Sequence, residues 1–300
     1  MRSEQIVIIG AGPAGCAAAV QCARLGVKPY LIDRSGKPGG LLSNAWQVEN
    51  YPGIEPTDGR NLVSRLKEFL DRFDIMVDRK VIESVSYDGD RYLLESSGGG
   101  IHARAVIVAT GTRPILLDVP GAEELREKKL WYEITGLLEL VSDPGHIAVI
   151  GGGEAALDYS LSLAGAGGPV TLLVRGEAYR ACRRLSEAVE ESQTITPLFG
   201  IEVVRVESTR RGLSVVCSDS GEHIRLECDG AVAALGREST ASDLLKDHPV
   251  MNHDSVHTGC RGLFIVGDAR LGTLGQAGIA VGDGLEAAMT AVSVVEEGGK

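Results

Sequence analysis

Gly10, Gly12 and Gly15 follow the apolar run at residues 6–9 and open an Ala-rich stretch, a G-x-G-x-x-G spacing between a predicted strand and a predicted helix. In that spacing the first glycine permits a tight turn, the second lets backbone amides approach a pyrophosphate, and the third lets helix pack on strand. The helix N-terminus then faces the negative charge. Asp33 closes the next apolar run, where a carboxylate accepts ribose hydroxyls. The design returns at Gly151, Gly153 and Ala156 after the apolar residues 147–150. Aligned without gaps on the first copy, the place of Asp33 is taken by Val174, and Arg175, Arg180, Arg183 and Arg184 follow it. A missing acid removes repulsion toward a ribose 2′-phosphate, and the arginines favour it, so NADPH is expected over NADH, which remains possible. The plain alternative for those arginines is a solvated basic helix face. Two different sites in one chain suit hydride transfer between a tightly held FAD and a transient nicotinamide nucleotide, with FAD at the first.

The elements that must position these residues are legible in outline. The first unit reads strand, glycine turn, helix and a strand ending at Asp33. A Gly-, Pro- and Asn-rich loop over residues 34–59 is too long for a plain connector and is expected to lie against a ligand. A helix over 60–73 carries Leu62, Leu66, Phe69 and Leu70 at helical spacing, read as core packing. Period-two alternation around Asp88-Gly89 and around residues 98–100 predicts an antiparallel meander, after which residues 105–108 return to the sheet as a buried strand. The polar, Pro- and Gly-containing residues 120–129 mark the neighbourhood of a domain boundary. The second unit repeats the first, adds a hairpin turning at Ser220-Gly221, and is followed by one more strand and a long helix whose glycine-rich entry suits the first unit. The expected fold class is therefore α/β, two Rossmann-like three-layer dinucleotide-binding domains with the second inserted in the first.

Composition narrows the partners. The chain has 300 residues, with 30 Lys+Arg against 41 Asp+Glu, which argues against nucleic acid or anionic membrane partners. The opening M-R-S-E-Q leads into too short an apolar run for a signal peptide, so a cytoplasmic protein is expected. The six cysteines show no C-x-x-C and no metal-ligand spacing and are read as buried small residues.

Together the motifs G-A-G-P-A-G at 10–15, G-G-x-L at 39–42, V-E-N-Y-P-G at 48–53, A-T-G-T-R-P at 109–114, V-I-G-G-G-E-A-A at 149–156 and G-L-F-I-V-G-D with G-Q-A at 262–268 and 275–277 resemble the low-molecular-weight thioredoxin reductase family, over nearly the whole chain. The resemblance implies an FAD domain at 1–116 and 238–300, a nicotinamide domain at 117–237, and a homodimer. It implies FAD contacts from Gly10, Gly12, Pro13, Ala14, Gly15, Asp33, Gly40, Leu41, Asn50, Thr110, Gly111, Asp268, Gln276 and Ala277. Asp268 would lie near the ribitol and pyrophosphate, and the Gln-Ala pair near the flavin ring. On the nicotinamide side it implies Gly151, Gly153, Glu154, Ala155, Arg175 and Arg180.

The departures carry the functional expectation. The family's redox-active C-A-T-C-D, counted back from Gly151, falls on residues 134–138, which read I-T-G-L-L, with Ile134 and Leu137 where the cysteines belong. The arginine motif that reads the 2′-phosphate is reduced to Arg175 and Arg180. The leading expectation is an FAD-dependent NAD(P)H oxidoreductase whose flavin passes electrons directly to an external acceptor such as a ferredoxin, a flavodoxin or a small molecule, with no catalytic side chain and no metal. A reductase of a disulfide substrate at the flavin, and a flavin-binding sensor or scaffold without turnover, are the alternatives; bleaching of the flavin by NADPH separates enzyme from scaffold.

Overall fold

The computed structural model describes residues 2–140, 145–210, 212–219, 221–245, 254–272 and 275–297. It divides into two compact units, one made of Met1–Ser43, Val48–Arg113 and Arg237–Lys300, the other of Asn44–Gln47 and Pro114–Gly236. The crossings fall at Arg113/Pro114 and Gly236/Arg237, against the expected 116/117 and 237/238, and the run Asn44–Gln47 packs with the second unit although the whole N-terminal segment was expected in the first.

In the first unit β1 (Arg2–Ile9) leads through the glycine turn into α1 (Pro13–Arg24) and β2 (Tyr30–Asp33). Pro13 suits the first helical turn, where its missing donor is not needed. α2 (Gly59–Asp71) starts at Asp58, whose carboxylate accepts the Asn61 N–H at 2.8 Å. β3 (Val77–Arg79), β4 (Ile82–Tyr87), β5 (Tyr92–Ser96) and β6 (Ile101–Val108) complete most of a sheet in the order β3-β2-β1-β6-β5-β4. The last strand of the expected meander and the expected return strand are one element, β6. β6 pairs antiparallel with β5 through its first residues and parallel with β1 along its length. Its sequence records the change: I-H-A-R alternates at the antiparallel half, and A-V-I-V is continuously buried in the parallel half.

β7 (Thr112–Pro114) and β16 (Arg237–Ser239) form a two-stranded sheet where the chain leaves and returns. After α7 (Ala241–Leu244), β17 (Leu263–Ile265) joins β6 in parallel, and α8 (Asp268–Leu271) leads to α9 (Ala277–Glu297). By length and composition α9 is apolar enough to cross a membrane. Its Ala280, Ala287, Ala288, Ala291, Val292 and Val295 instead pack in the core. A Cβ on Gly284 would strike the Ala14 carbonyl, so α9 and α1 meet backbone to backbone.

The second unit contains α3 (Ala122–Leu125), β8 (Leu130–Trp131), α4 (Ile134–Leu140), β9 (Ile147–Ile150), α5 (Glu154–Gly165), β10 (Val170–Val174), α6 (Arg183–Glu191), β11 (Ile195–Phe199) and β15 (Gly230–Ala233). Its sheet is parallel throughout, in the order β11-β10-β9-β15-β8. β12 (Ile201–Ser208), β13 (Leu213–Asp219) and β14 (Glu222–Cys228) make a separate antiparallel sheet. The hairpin is in the expected register, with Cys217 opposite Ile224; Ser220 lies outside the described residues.

Two expectations about packing need correction. Leu62 and Leu70 are buried, but Phe69 is 49% exposed, its ring lying 5.2 Å beneath the Arg72 guanidinium. Four cysteines are buried, whereas Cys182 is exposed and Cys260 half-buried. Cys182 sits just ahead of α6, an element whose only buried residue is Val189.

Candidate functional site

The glycines of the first turn sort by what excludes a side chain. Gly10 has φ 106°, and a Cβ there would strike the Ala109 carbonyl. A Cβ on Gly15 would strike the Gly10 carbonyl. These two are glycine because the strand, turn and helix pack tightly. Gly12 differs: φ is −70°, open to any residue, and nothing lies within 4 Å of the place its Cβ would take. The fold leaves an open cradle at the start of α1, the place a pyrophosphate takes in this motif.

Asp33 is held beside that cradle. Its Oδ2 accepts the Ala11 N–H at 3.0 Å, and its Oδ1 accepts the Ser35 N–H at 2.7 Å. A carboxylate with those bonds retains acceptor capacity for hydroxyls. The long loop does come against the turn. The Gly39 N–H donates to the Ala11 carbonyl at 2.8 Å, and a Cβ on Gly40 would lie 3.3 Å from the Gly12 Cα, with Leu41 half-buried next in line. Pro13 and Ala14 occupy the first turn of α1.

The remaining candidates of the first unit converge from distant sequence. The Asn50 amide donates to the Gln276 Oε1 at 2.8 Å across 226 residues, and Ala277 begins α9 beside it. Thr110 and Gly111 follow β6; the Thr110 hydroxyl is buried without a hydrogen-bond partner, a polar atom that suits a polar ligand group. Asp268 starts α8, and burial pushes its carboxyl above the ordinary range, with Arg237 pulling it down and Asp283 pushing it up. Beneath it Arg270 and Asp283 form a buried ion pair at 2.8 Å, and the Gly267 N–H also donates to Asp283 at 2.9 Å. The open cradle and the orphaned Thr110 hydroxyl fit a dinucleotide.

The second turn repeats the sorting. Gly151 has φ 146° and would strike the Ala234 carbonyl, whereas Gly153, the N-cap of α5, has φ −94° and only the Arg180 carbonyl near its missing Cβ, at 3.9 Å. Where the first turn has Ala11 bonded to Asp33, the second has Gly152 packed on Val174: a Cβ on Gly152 would lie 2.7 Å from the Val174 Cγ1. Val174 is 2% exposed, so no acid stands at the strand end. The Arg180 N–H donates to the Gly152 carbonyl at 2.6 Å, which brings Arg180 to the turn. Arg175 and Arg180 are both exposed. Arg183 is instead tied to Glu187 at 2.6 Å. Glu154 and Ala155 open α5, and the Glu154 Oε1 accepts the Cys182 N–H at 3.3 Å, which ties the turn to the approach to α6.

Ile134 and Leu137, on which the count back from Gly151 places the family's cysteines, are each 1% exposed within an apolar cluster that includes Leu157 and Val232. Sequence reasoning missed the polar network around them. Glu133 accepts from the Asn44 amide at 2.7 Å and the Tyr159 hydroxyl at 3.0 Å, while the Asn44 Oδ1 accepts the Thr135 N–H at 3.2 Å. Asp158 accepts the Trp46 N–H at 2.9 Å. Burial pushes its carboxyl up to about 6, the Trp46 N–H pulls it down, and Glu154 pushes it up. No local signal marks Asn44 and Trp46 as members of this unit.

Residues 4–292 match the pyridine nucleotide-disulphide oxidoreductase family. The chain belongs to that family. It is 29% identical over 303 residues to the thioredoxin reductase of Bacillus subtilis (strain 168), covering 97% of this chain and 95% of that one. It is 28% identical over 310 residues to the NADPH-dependent thioredoxin reductase 3 of Arabidopsis thaliana, covering 96% of this chain but only 58% of that longer protein. Among solved structures, the thioredoxin reductase of Lactococcus lactis superposes with a TM-score of 0.88 at 28% identity, covering 98% of this chain and 99% of that one. The protein is thus a thioredoxin reductase-like flavoprotein oxidoreductase, built from two Rossmann-like units and using FAD and a pyridine nucleotide.

Proposed function

We propose that the first unit holds FAD, the second receives NADPH, and electrons leave the flavin directly for an external acceptor with no internal dithiol. The observation that carries this reading is the replacement of the redox pair by buried Ile134 and Leu137 in a chain with no C-x-x-C. Four of the six thiols do not make up the loss. Burial pushes Cys16, Cys22 and Cys228 up to about 12 and Cys217 up to about 11, so all four stay protonated and unreactive. Cys217 faces Ile224 and Cys228 faces Leu213 across the hairpin, four pairs apart.

Bound FAD would accept a hydride from the nicotinamide and release its electrons singly or in pairs. The chain's own residues bind and orient. The start of α1 meets the pyrophosphate, Asp33 takes ribose hydroxyls, and the Asn50–Gln276 pair and Asp268 hold the ligand further along. In the second unit Arg175 and Arg180 favour a 2′-phosphate beside an apolar Val174 that does not repel it. The acceptor is proposed to be a ferredoxin, a flavodoxin, a small molecule or a disulfide brought by the substrate, and the setting a cytoplasmic homodimer.

Anaerobic titration tests the reading. The flavin should bleach fully after about two electrons per FAD, the capacity of flavin alone, with no new thiols. A variant with all six cysteines changed to serine should still oxidise NADPH with an artificial acceptor. An uptake near four electrons per FAD would show a dithiol in use, since flavin alone takes about two. Arg175→Ala and Arg180→Ala should narrow the preference for NADPH over NADH; an unchanged ratio would remove their assigned role.

A further inference from the structure

Phe199 stands out as an aromatic ring that the core does not use. We propose that Phe199, supported by Tyr179, is the platform on which the adenine ring of the pyridine nucleotide stacks; this rests on the reading of the second unit as the nicotinamide-nucleotide site. In a parallel sheet a dinucleotide lies across the carboxyl ends of the strands, with its pyrophosphate at the helix that follows the glycine turn. That helix, α5, follows β9, and β10 and then β11 lie to one side of it in the sheet order. Val174 and Arg175, where the ribose 2′ position is read, place the adenosine half on that side.

Phe199 is the last residue of β11 and is paired in register with Val174. Its backbone therefore stands about one strand spacing, ~4.8 Å, beyond that of the residue at the ribose position. It is 40% exposed. The Tyr179 ring supports it, with centroids 5.0 Å apart and planes at 54°, and Tyr179 is half-buried with its hydroxyl buried and without a partner. Two backbone bonds lock the loop that carries Tyr179. The Gly200 N–H donates to the Gly176 carbonyl at 3.1 Å, and the Arg180 N–H to the Gly152 carbonyl at 2.6 Å. A ring so held presents a face at little entropic cost to a flat base, which always has a π-face to offer. Because adenine is common to NADPH and NADH, Phe199 acts on both, whereas Arg175 and Arg180 act only on the phosphorylated one.

The test uses FAD-loaded protein and measures calorimetric binding of AMP and 2′,5′-ADP, together with flavin reduction by NADPH, NADH and reduced nicotinamide mononucleotide, which lacks adenine. Phe199→Ala should weaken AMP and 2′,5′-ADP alike by about tenfold, as loss of one base-stacking contact does. It should raise KM for NADPH and NADH by the same factor at unchanged limiting rate, and leave the mononucleotide unaffected. Phe199→Trp should restore binding, and Arg175→Ala should weaken 2′,5′-ADP but not AMP. The platform is overturned if Phe199→Ala changes AMP binding by less than about twofold against the roughly tenfold expected of a stacking contact, if the mononucleotide loses as much as NADPH, or if the variant impairs only delivery to the acceptor. Nucleotides that bind the wild type through Phe199 without reducing its flavin would refute the proposed function and leave the platform standing. A wild type reduced by NADPH whose Phe199→Ala variant behaves identically would refute the platform alone, and a wild type that binds neither adenine nucleotide would refute both.

Discussion

Gly12→Ala separates a glycine kept for a ligand from one kept for the fold. Gly12 has φ −70° with nothing within 4 Å of its absent Cβ, so alanine meets neither strain nor clash. Replacing glycine at a compatible site stabilises by about 0.4–1 kcal/mol through the unfolded chain. Alanine is a poorer N-cap than glycine, which offsets this by a similar amount, roughly 0.5–1 kcal/mol. The flavin-free protein should therefore change in stability by less than about 1 kcal/mol. The methyl group would stand where a pyrophosphate approaches the backbone, and losing one charge-assisted hydrogen bond costs about 1.5–3 kcal/mol. FAD affinity should fall roughly tenfold to 150-fold. Gly15→Ala should behave oppositely, because its Cβ would strike the Gly10 carbonyl; overpacking of that kind costs about 1–3 kcal/mol or more and should unfold the unit. Thermal unfolding of deflavinated protein and titration with FAD, followed by quenching of flavin fluorescence, give the two numbers. A Gly12→Ala protein as unstable as Gly15→Ala, or one that binds FAD as the wild type does, would refute the assignment of the open cradle.

The second turn should obey the same rule: Gly153→Ala, with only the Arg180 carbonyl nearby at 3.9 Å, should keep the melting temperature and weaken NADP⁺ binding measured by calorimetry. Asp158 titrates higher in the folded protein than its ordinary 3.8, at about 6, so the native state holds this proton more tightly than the unfolded chain. Its contribution to stability is full below pH 3.8 and is lost as pH rises through about 6. The loss is at most roughly 3 kcal/mol. Asp158→Asn, which can still accept the Trp46 N–H, should flatten that part of the pH–stability curve; an unchanged slope in chemical denaturation would show that the carboxyl is not buried as described. Asp283→Ala should cost about 3–5 kcal/mol by removing the carboxylate paired with the buried Arg270 guanidinium, whereas a loss under about 1 kcal/mol would mean that the pair is worth no more than an exposed one.

The glycine turns, Asp33, and the strands and helices that carry them were legible because they act within one βαβ unit, where the demand for a positive φ, a helix start and a buried apolar run is written in neighbouring residues. Ile134 and Leu137 were legible for the same reason, as apolar residues at counted positions. Periodicity could not settle which face of a helix the rest of the chain would cover, which is why Phe69, at a core spacing, is exposed. Nor could it set the partners that sheet order brings together. Asn50 meets Gln276 only because α9 returns to the first unit, and Arg180 meets Gly152 only because its loop folds back on the turn. Phe199 stands beside Val174 only because β11 lies next to β10, and Asn44 and Trp46 reach Glu133 and Asp158 only because their short run packs with the second unit. Local sequence determines backbone conformation through short-range sterics; which distant side chains share a site is decided by the packing of whole elements, whose free energy no short window contains.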